Sequence, residues 1–137
     1  MSIVKTENLH KKYPEPGKKS EFFYAVNGTS LTIDAGEIYG ILGPNGAGKP
    51  TTLEMVEGLT DIDEGDAWVD GISVKQDPYR VKKIIGVQLQ ANEYFDHLNL
   101  SELIALFSQL YGRHDDPLDL LGRVNLDEKA LAKPKEL

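Results

Sequence analysis

The sequence predicts an α/β chain with a small antiparallel β layer and a helical extension, on three observations. A short, nearly unbroken apolar run, Glu37-Ile38-Tyr39-Gly40-Ile41-Leu42, leads through the glycine-rich stretch 43–48 into a helical pattern from Thr51. Runs rich in β-branched and aromatic residues flank Asp70-Gly71, a dipeptide that favours a two-residue hairpin turn. From Ser101 onwards the apolar residues switch to helical spacing. Strand, glycine loop, helix, strands and then helices is the order of a layered α/β core.

Taken in order, Ile3–Leu9 reads as a short strand, and Tyr13-Pro14-Glu15-Pro16-Gly17 as a turn-rich loop. Phe22–Ile33 alternates in the manner of a half-buried strand and is broken at Asp34-Ala35-Gly36. Residues 37–42 have the look of a strand buried on both faces. Thr51–Glu57 reads as a helix stopped by Gly58. Glu64–Val74 reads as a hairpin, and Asp77-Pro78 opens a short helix towards Lys83. Ile84–Leu89 is a further apolar strand. In Ser101–Tyr111, Leu103, Leu106, Phe107 and Leu110 fall at helical spacing, with Ser101 as a possible cap. Pro117–Val124 and Asp127–Ala132 read as short helices.

The 137 residues suffice for one domain, and 40% apolar against 27% charged residues is an ordinary globular balance. Fifteen Lys and Arg face 22 Asp and Glu, a net charge of −7, which argues against a nucleic-acid-binding surface. Residues 1–20 carry a net +3, leaving −10 for the remainder. That basic stretch is either a solvated loop or a mouth that attracts a polyanion. There is no cysteine, hence no disulfide, thiolate metal site or cysteine nucleophile. No signal core or membrane-length apolar run occurs, so a soluble, cytoplasmic protein is expected.

Gly43-Pro44-Asn45-Gly46-Ala47-Gly48-Lys49 matches the first seven positions of the phosphate-loop motif, between an apolar strand and a helix as the motif requires. Its glycines let several backbone N–H groups converge on one anion, the helix N-terminus adds positive potential, and the Lys49 ammonium reaches the outer phosphates. The eighth position calls for Ser or Thr, whose hydroxyl holds magnesium. Here it is Pro50, which has neither hydroxyl nor N–H and disfavours helical torsions at Lys49. Thr51 and Thr52 keep hydroxyls and are carried as phosphate contacts. Each helical step turns a side chain by about 100°, so neither simply replaces the missing group.

With these residues the chain resembles the nucleotide-binding domain of an ABC transporter, a family whose phosphate loop commonly reads as residues 43–49 do. Leu9-His10-Lys11-Lys12-Tyr13 resembles the family segment whose aromatic residue stacks on adenine, which gives that role to Tyr13, with Tyr24 as the alternative. Ala25-Val26-Asn27-Gly28 through Gly36-Glu37-Ile38 resembles the run into the phosphate loop. Ile85-Gly86-Val87-Gln88-Leu89-Gln90 resembles the strand ending in the family's glutamine, which reaches magnesium and the attacking water. Gln90 fits that position better than Gln88, because Leu98–Leu103 then falls where the helical subdomain begins.

The resemblance implies a β layer and phosphate-loop core over residues 1–90 and a helical subdomain over 91–137. It implies ATP and magnesium as cofactors, magnesium being weakened by Pro50. The implied partners are a transmembrane permease subunit and a second ATP-binding domain, at the inner face of the cell membrane. Segments 94–98 and 106–112 resemble drug or antibiotic exporters. The family's signature loop, second acidic strand motif, catalytic glutamate and switch histidine find no match. Residues 135–137 fall where the family runs into the signature loop, so a truncated cassette is expected, with no hydrolysis of its own. The alternatives are a non-hydrolysing interaction module and a non-functional fragment.

Overall fold

A computed structural model describes residues 1–18, 20–88 and 95–137. It divides the chain into two compact units, Met1–Val87 and Gln88–Leu137. The first unit is built on an antiparallel sheet of β1 (Ser2–Pro14), β2 (Phe22–Asp34), β3 (Glu64–Val69) and β4 (Ile72–Ser73), in the order β2-β1-β3-β4. Two helices belong to this unit, α1 (Lys49–Val56) and α2 (Pro78–Lys82).

The alternation of β1 decides which face is covered. Val4 pairs with Val69 and Thr6 with Ala67, and this face is buried; Lys5 and Trp68 pair on the other, where the ammonium lies 5.8 Å from the indole centroid. The register slips between Thr6 and Leu9, where Asn8 takes a φ of 51°. Such a bulge returns Leu9 to the covered face. It also brings the Glu7 and Asn8 carbonyls so close to Gly65, at φ 80°, that no Cβ fits there. Leu9, Val26, Ala67 and Val69 of the sheet then close with Ile62, Met55 of α1, and Val74 and Val81 into one core. Leu9 and Met55 have no exposure at all, and burial of each contributes roughly 1.5–3 kcal/mol.

Asp70 and Gly71 form the expected hairpin turn between β3 and β4, both in the left-handed region at φ 48° and 73°. Asp77 caps α2 by accepting a hydrogen bond from the Arg80 N–H at 3.0 Å. The second unit comprises α3 (Leu100–Leu110), α4 (Pro117–Gly122) and 3₁₀ turns at Asp127–Lys129 and Pro134–Glu136. Asn99, not Ser101, caps α3. Its side chain accepts from the Glu102 N–H at 2.9 Å, while Glu102 accepts from the Asn99 N–H at 2.9 Å. This reciprocal box satisfies two donors, more than a serine inside the first turn can do. The Leu100 and Ser101 N–H groups are satisfied by the carbonyls of Ala132 and Ala130, both at 3.0 Å. Of the apolar stripe read from the sequence, Leu103 is buried, whereas Phe107 and Leu110 are exposed. Ser108 is buried instead, its hydroxyl donating to Asp115, whose carboxylate also accepts two hydrogen bonds from Arg113.

Two expected strands do not form. Residues 37–42 carry no ladder, and Ile38 and Leu42 are fully exposed; residues 84–88 are likewise irregular. A strand needs a neighbour for its N–H and C=O groups, and the antiparallel sheet offers none to either segment.

Asp63 ties β1 to the start of β3. Its carboxylate accepts from the Lys12 N–H at 2.7 Å and from the Lys11 ammonium at 3.0 Å. These contacts, the backbone one foremost, hold its pKa below the usual aspartate value. The stabilisation is therefore complete above the unfolded-state pKa of about 3.9 and disappears as pH falls through the lower folded value. Asp63→Asn is expected to cost about 1 kcal/mol at neutral pH, the side chain being one-third exposed. Denaturant melts of both proteins should show this difference vanishing in strongly acidic buffer, and a pH-independent difference would contradict the assignment.

Candidate functional site

The loop that follows residue 42 is shaped by its glycines. Gly46 and Gly48 lie in the left-handed region at φ 83° and 78°, and Gly48 is the N-cap of α1. Gly48 is buried against β2, where an added Cβ would run into the carbonyl oxygen of Ala25. The helix therefore starts directly against the strand. Pro44, Asn45, Gly46 and Ala47 lie exposed around the turn closed by the Ala47 N–H on the Pro44 carbonyl at 3.3 Å.

Lys49 is the first residue of α1. Its ammonium donates to the carbonyls of Gly43 and Pro44, both at 2.7 Å, so the loop curls around the lysine's own charge. Pro50 follows inside the first helical turn, and Lys49 is helical despite it. The helical ladder begins only with the Thr52 N–H on the Gly48 carbonyl at 2.8 Å. A first-turn N–H has no intrahelical acceptor, so its absence at Pro50 costs the helix no bond. The buried Thr52 hydroxyl also donates to the Gly48 carbonyl, at 2.9 Å. Thr51 is half-buried.

Tyr13 lies on the face of β1 that Leu9 and Lys11 share, the face covered by α1. It is paired with Phe23, ring to ring at 6.2 Å, and the Lys11 ammonium is 5.7 Å from its centroid. Phe23 is two residues, roughly 7 Å of strand, from the Ala25 carbonyl that meets Gly48. Tyr24 belongs to the opposite face, edge-on to His10 and under the Lys12 ammonium at 4.9 Å. The Tyr13–Phe23 pair is absent from the sequence reading; the run of three aromatic residues Phe22-Phe23-Tyr24, of which every second one shares a face, is the signal for it. Gln90 lies outside the described residues.

Among the described residues, the lysines of the basic N-terminal stretch are paired with carboxylates. Lys5 meets Glu7, Lys11 meets Asp63, Lys12 meets Glu64, and Lys18 meets both Glu15 and Glu21. The Glu64 carboxylate raises the Lys12 pKa, and Lys12 in turn lowers that of Glu64. Among the described residues no group of three or more His, Asp or Glu side chains is placed to hold a metal. No helix among them is long and apolar enough to cross a membrane.

A family model described as ABC transporter matches residues 26–137, from the strand at Gly48's back to the last residue. The chain belongs to the ABC transporter family. It is 33% identical over 136 residues to the linearmycin resistance ATP-binding protein LnrL of Bacillus subtilis, covering 96% of this chain and 42% of that one. It is 38% identical over 117 residues to the Nod factor export ATP-binding protein I of Burkholderia lata, covering 82% and 38%. An ATP-binding cassette solved as a dimer in a post-hydrolysis state, bound to ADP and Pi, superposes with a TM-score of 0.80 at 26% identity, over 98% of this chain and 63% of that one. This ABC transporter chain thus has the ATP-binding cassette fold and spans about two-fifths of the two curated relatives.

The two left-handed glycines of the cassette loop differ in their surroundings. Gly48→Ala forces a methyl group into the Ala25 carbonyl, whereas Gly46→Ala meets nothing within 4 Å and bears only its torsional cost. The expected loss of stability is about 1 kcal/mol for Gly46→Ala and about 3 kcal/mol or more for Gly48→Ala. Thermal melts of the two variants decide it, and equal losses would show that β2 does not constrain the helix start.

Proposed function

We propose that the loop Gly43–Lys49 binds the phosphates of ATP, as part of the ATP-binding subunit of an ABC exporter. The observation that carries this reading is the Lys49 ammonium lodged between the Gly43 and Pro44 carbonyls at the N-terminus of α1. An arriving polyanion can take over that charge together with the loop N–H groups. Gly43, Pro44, Asn45, Gly46, Ala47 and Gly48 give the loop its shape, Thr51 stands beside the phosphates, and Tyr13 takes the adenine face. The position of Tyr13 on the helix-covered face of β1 supports it over Tyr24. Thr52 acts through the Gly48 carbonyl, as a positioning residue.

The export role is supported by relatives named for linearmycin resistance and Nod factor export. On this reading a transmembrane permease subunit and a second ATP-binding domain are its partners, on the cytoplasmic side of the cell membrane. Gln90 would orient the attacking water in the assembled transporter. The exposed run 37–42 fits a strand that pairs within a complete cassette. The 137 residues by themselves carry no recognisable signature loop or catalytic glutamate, so they are expected to bind nucleotide without turning it over.

Titration of a fluorescent ATP analogue into the chain should give saturable binding. Lys49→Ala should weaken it about tenfold or more, the worth of a hydrogen bond from a charged group. Tyr13→Ala should weaken it by about tenfold, as loss of one stacked base does, with Tyr24→Ala close to the parent. Binding insensitive to Lys49 would remove the phosphate-loop assignment, and the reverse order of the tyrosines would move the adenine to the outer face. A phosphate-release assay on the same preparations should stay at background.

A further inference from the structure

The fold family implies magnesium beside the nucleotide, but the residues of the loop do not fit it. The position whose hydroxyl would face the metal is Pro50, which offers no oxygen from its side chain. The neighbouring hydroxyl that could have substituted, Thr52 Oγ1, is buried and spent on the Gly48 carbonyl at 2.9 Å. Turning it outward would break the bond to the Gly48 carbonyl and rotate a buried side chain out of its place. Thr51 is one helical step, about 100°, from the Pro50 direction. Among the described residues no cluster of acidic or histidine side chains stands in as a metal cage. What the loop does offer a phosphate is backbone N–H groups and one ammonium, Lys49, which compensate charge without a metal.

From this donor set we infer that the chain recognises the metal-free nucleoside polyphosphate: its phosphate loop binds the nucleotide with no preference for the magnesium complex. The inference rests on the nucleotide-binding reading above and fixes the ionic form of its ligand. Magnesium lowers the charge of ATP before binding. With no side-chain oxygen of the loop on the metal, that neutralisation reduces the attraction of Lys49 and the N–H groups without adding a loop contact to replace it. Pro50 therefore acts twice. It removes the oxygen that would reward the magnesium complex, and it removes one N–H from the ring of donors.

The test is a titration of a fluorescent ATP analogue into the chain and into Pro50→Ser and Pro50→Ala, each with magnesium and with chelator, after circular dichroism has matched their folded content. The chain itself should bind at least as tightly with chelator as with magnesium. Pro50→Ala returns the N–H alone and should tighten binding in both media alike. Pro50→Ser returns the N–H and the hydroxyl and should bind about tenfold more tightly with magnesium than with chelator, the size of one charge-assisted contact. Magnesium-dependent binding by the unaltered chain would overturn the inference, since Gln90 or water would then be holding the metal. A Pro50→Ser variant without magnesium preference would overturn the assignment to this position. Absence of binding in either medium would sink the nucleotide reading itself. Should Pro50→Ser fail to fold, the two titrations of the unaltered chain still decide the matter.

Discussion

The contact on which the candidate site depends is the approach of Gly48 to the Ala25 carbonyl of β2. Only a residue without a Cβ fits there, and only one tolerant of a φ of 78° can turn the chain from the loop into α1 at that point. Everything downstream inherits its place from this turn. Lys49 becomes the first helical residue, with its ammonium directed back at Gly43 and Pro44. Thr52 comes to donate to the Gly48 carbonyl, and Met55 enters the core one turn later. The loop is thus held at its end by main-chain packing, while residues 44–47 remain exposed.

The sheet supplies the surface against which that turn is made. Its bulge at Glu7-Asn8, accommodated by Gly65, keeps Leu9 and then Lys11 and Tyr13 on the covered face beyond the irregularity. Without the extra residue the pleat would send Leu9 outward, since a one-residue shift exchanges the two faces of a strand. The same device places Tyr13 on the face of β1 that Leu9 shares. Asp63 and Glu64 then fix Lys11 and Lys12 across the β1–β3 seam. These lysines serve the sheet; the ammonium aimed into the loop is that of Lys49.

Pro50 is structurally mild at the start of α1. Within the helix it costs nothing obvious, because the first-turn N–H has no intrahelical acceptor and Lys49 stays helical. The proline brings neither a hydroxyl nor an N–H to the start of α1, fewer donors and acceptors than a serine would bring.

The sequence alone determined the family, the glycine-rich loop ahead of α1, the Asp70-Gly71 turn and the existence of α1, α2 and α3. Each is a local matter: glycine tolerance of positive φ, a fixed spacing of loop residues, a capping side chain, a helical period. It misplaced the α3 cap by two residues, because Asn99 and Ser101 are both good caps and only the reciprocal bond with Glu102 separates them. It also put Phe107 and Leu110 in the apolar stripe of α3 and read residues 37–42 and 84–89 as strands, of which 84–88 are described. Hydropathy records what a segment could bury, whereas burial and strand formation require a neighbour, which local sequence does not specify. Tertiary structure alone decided which tyrosine shares the face of Leu9, that Thr52 is spent on Gly48, and that Lys5, Lys11, Lys12 and Lys18 are paired. Those outcomes depend on a bulge, a close approach and ion pairs between residues as much as 52 positions apart, and pairing at such separation is set by the register of the folded sheet.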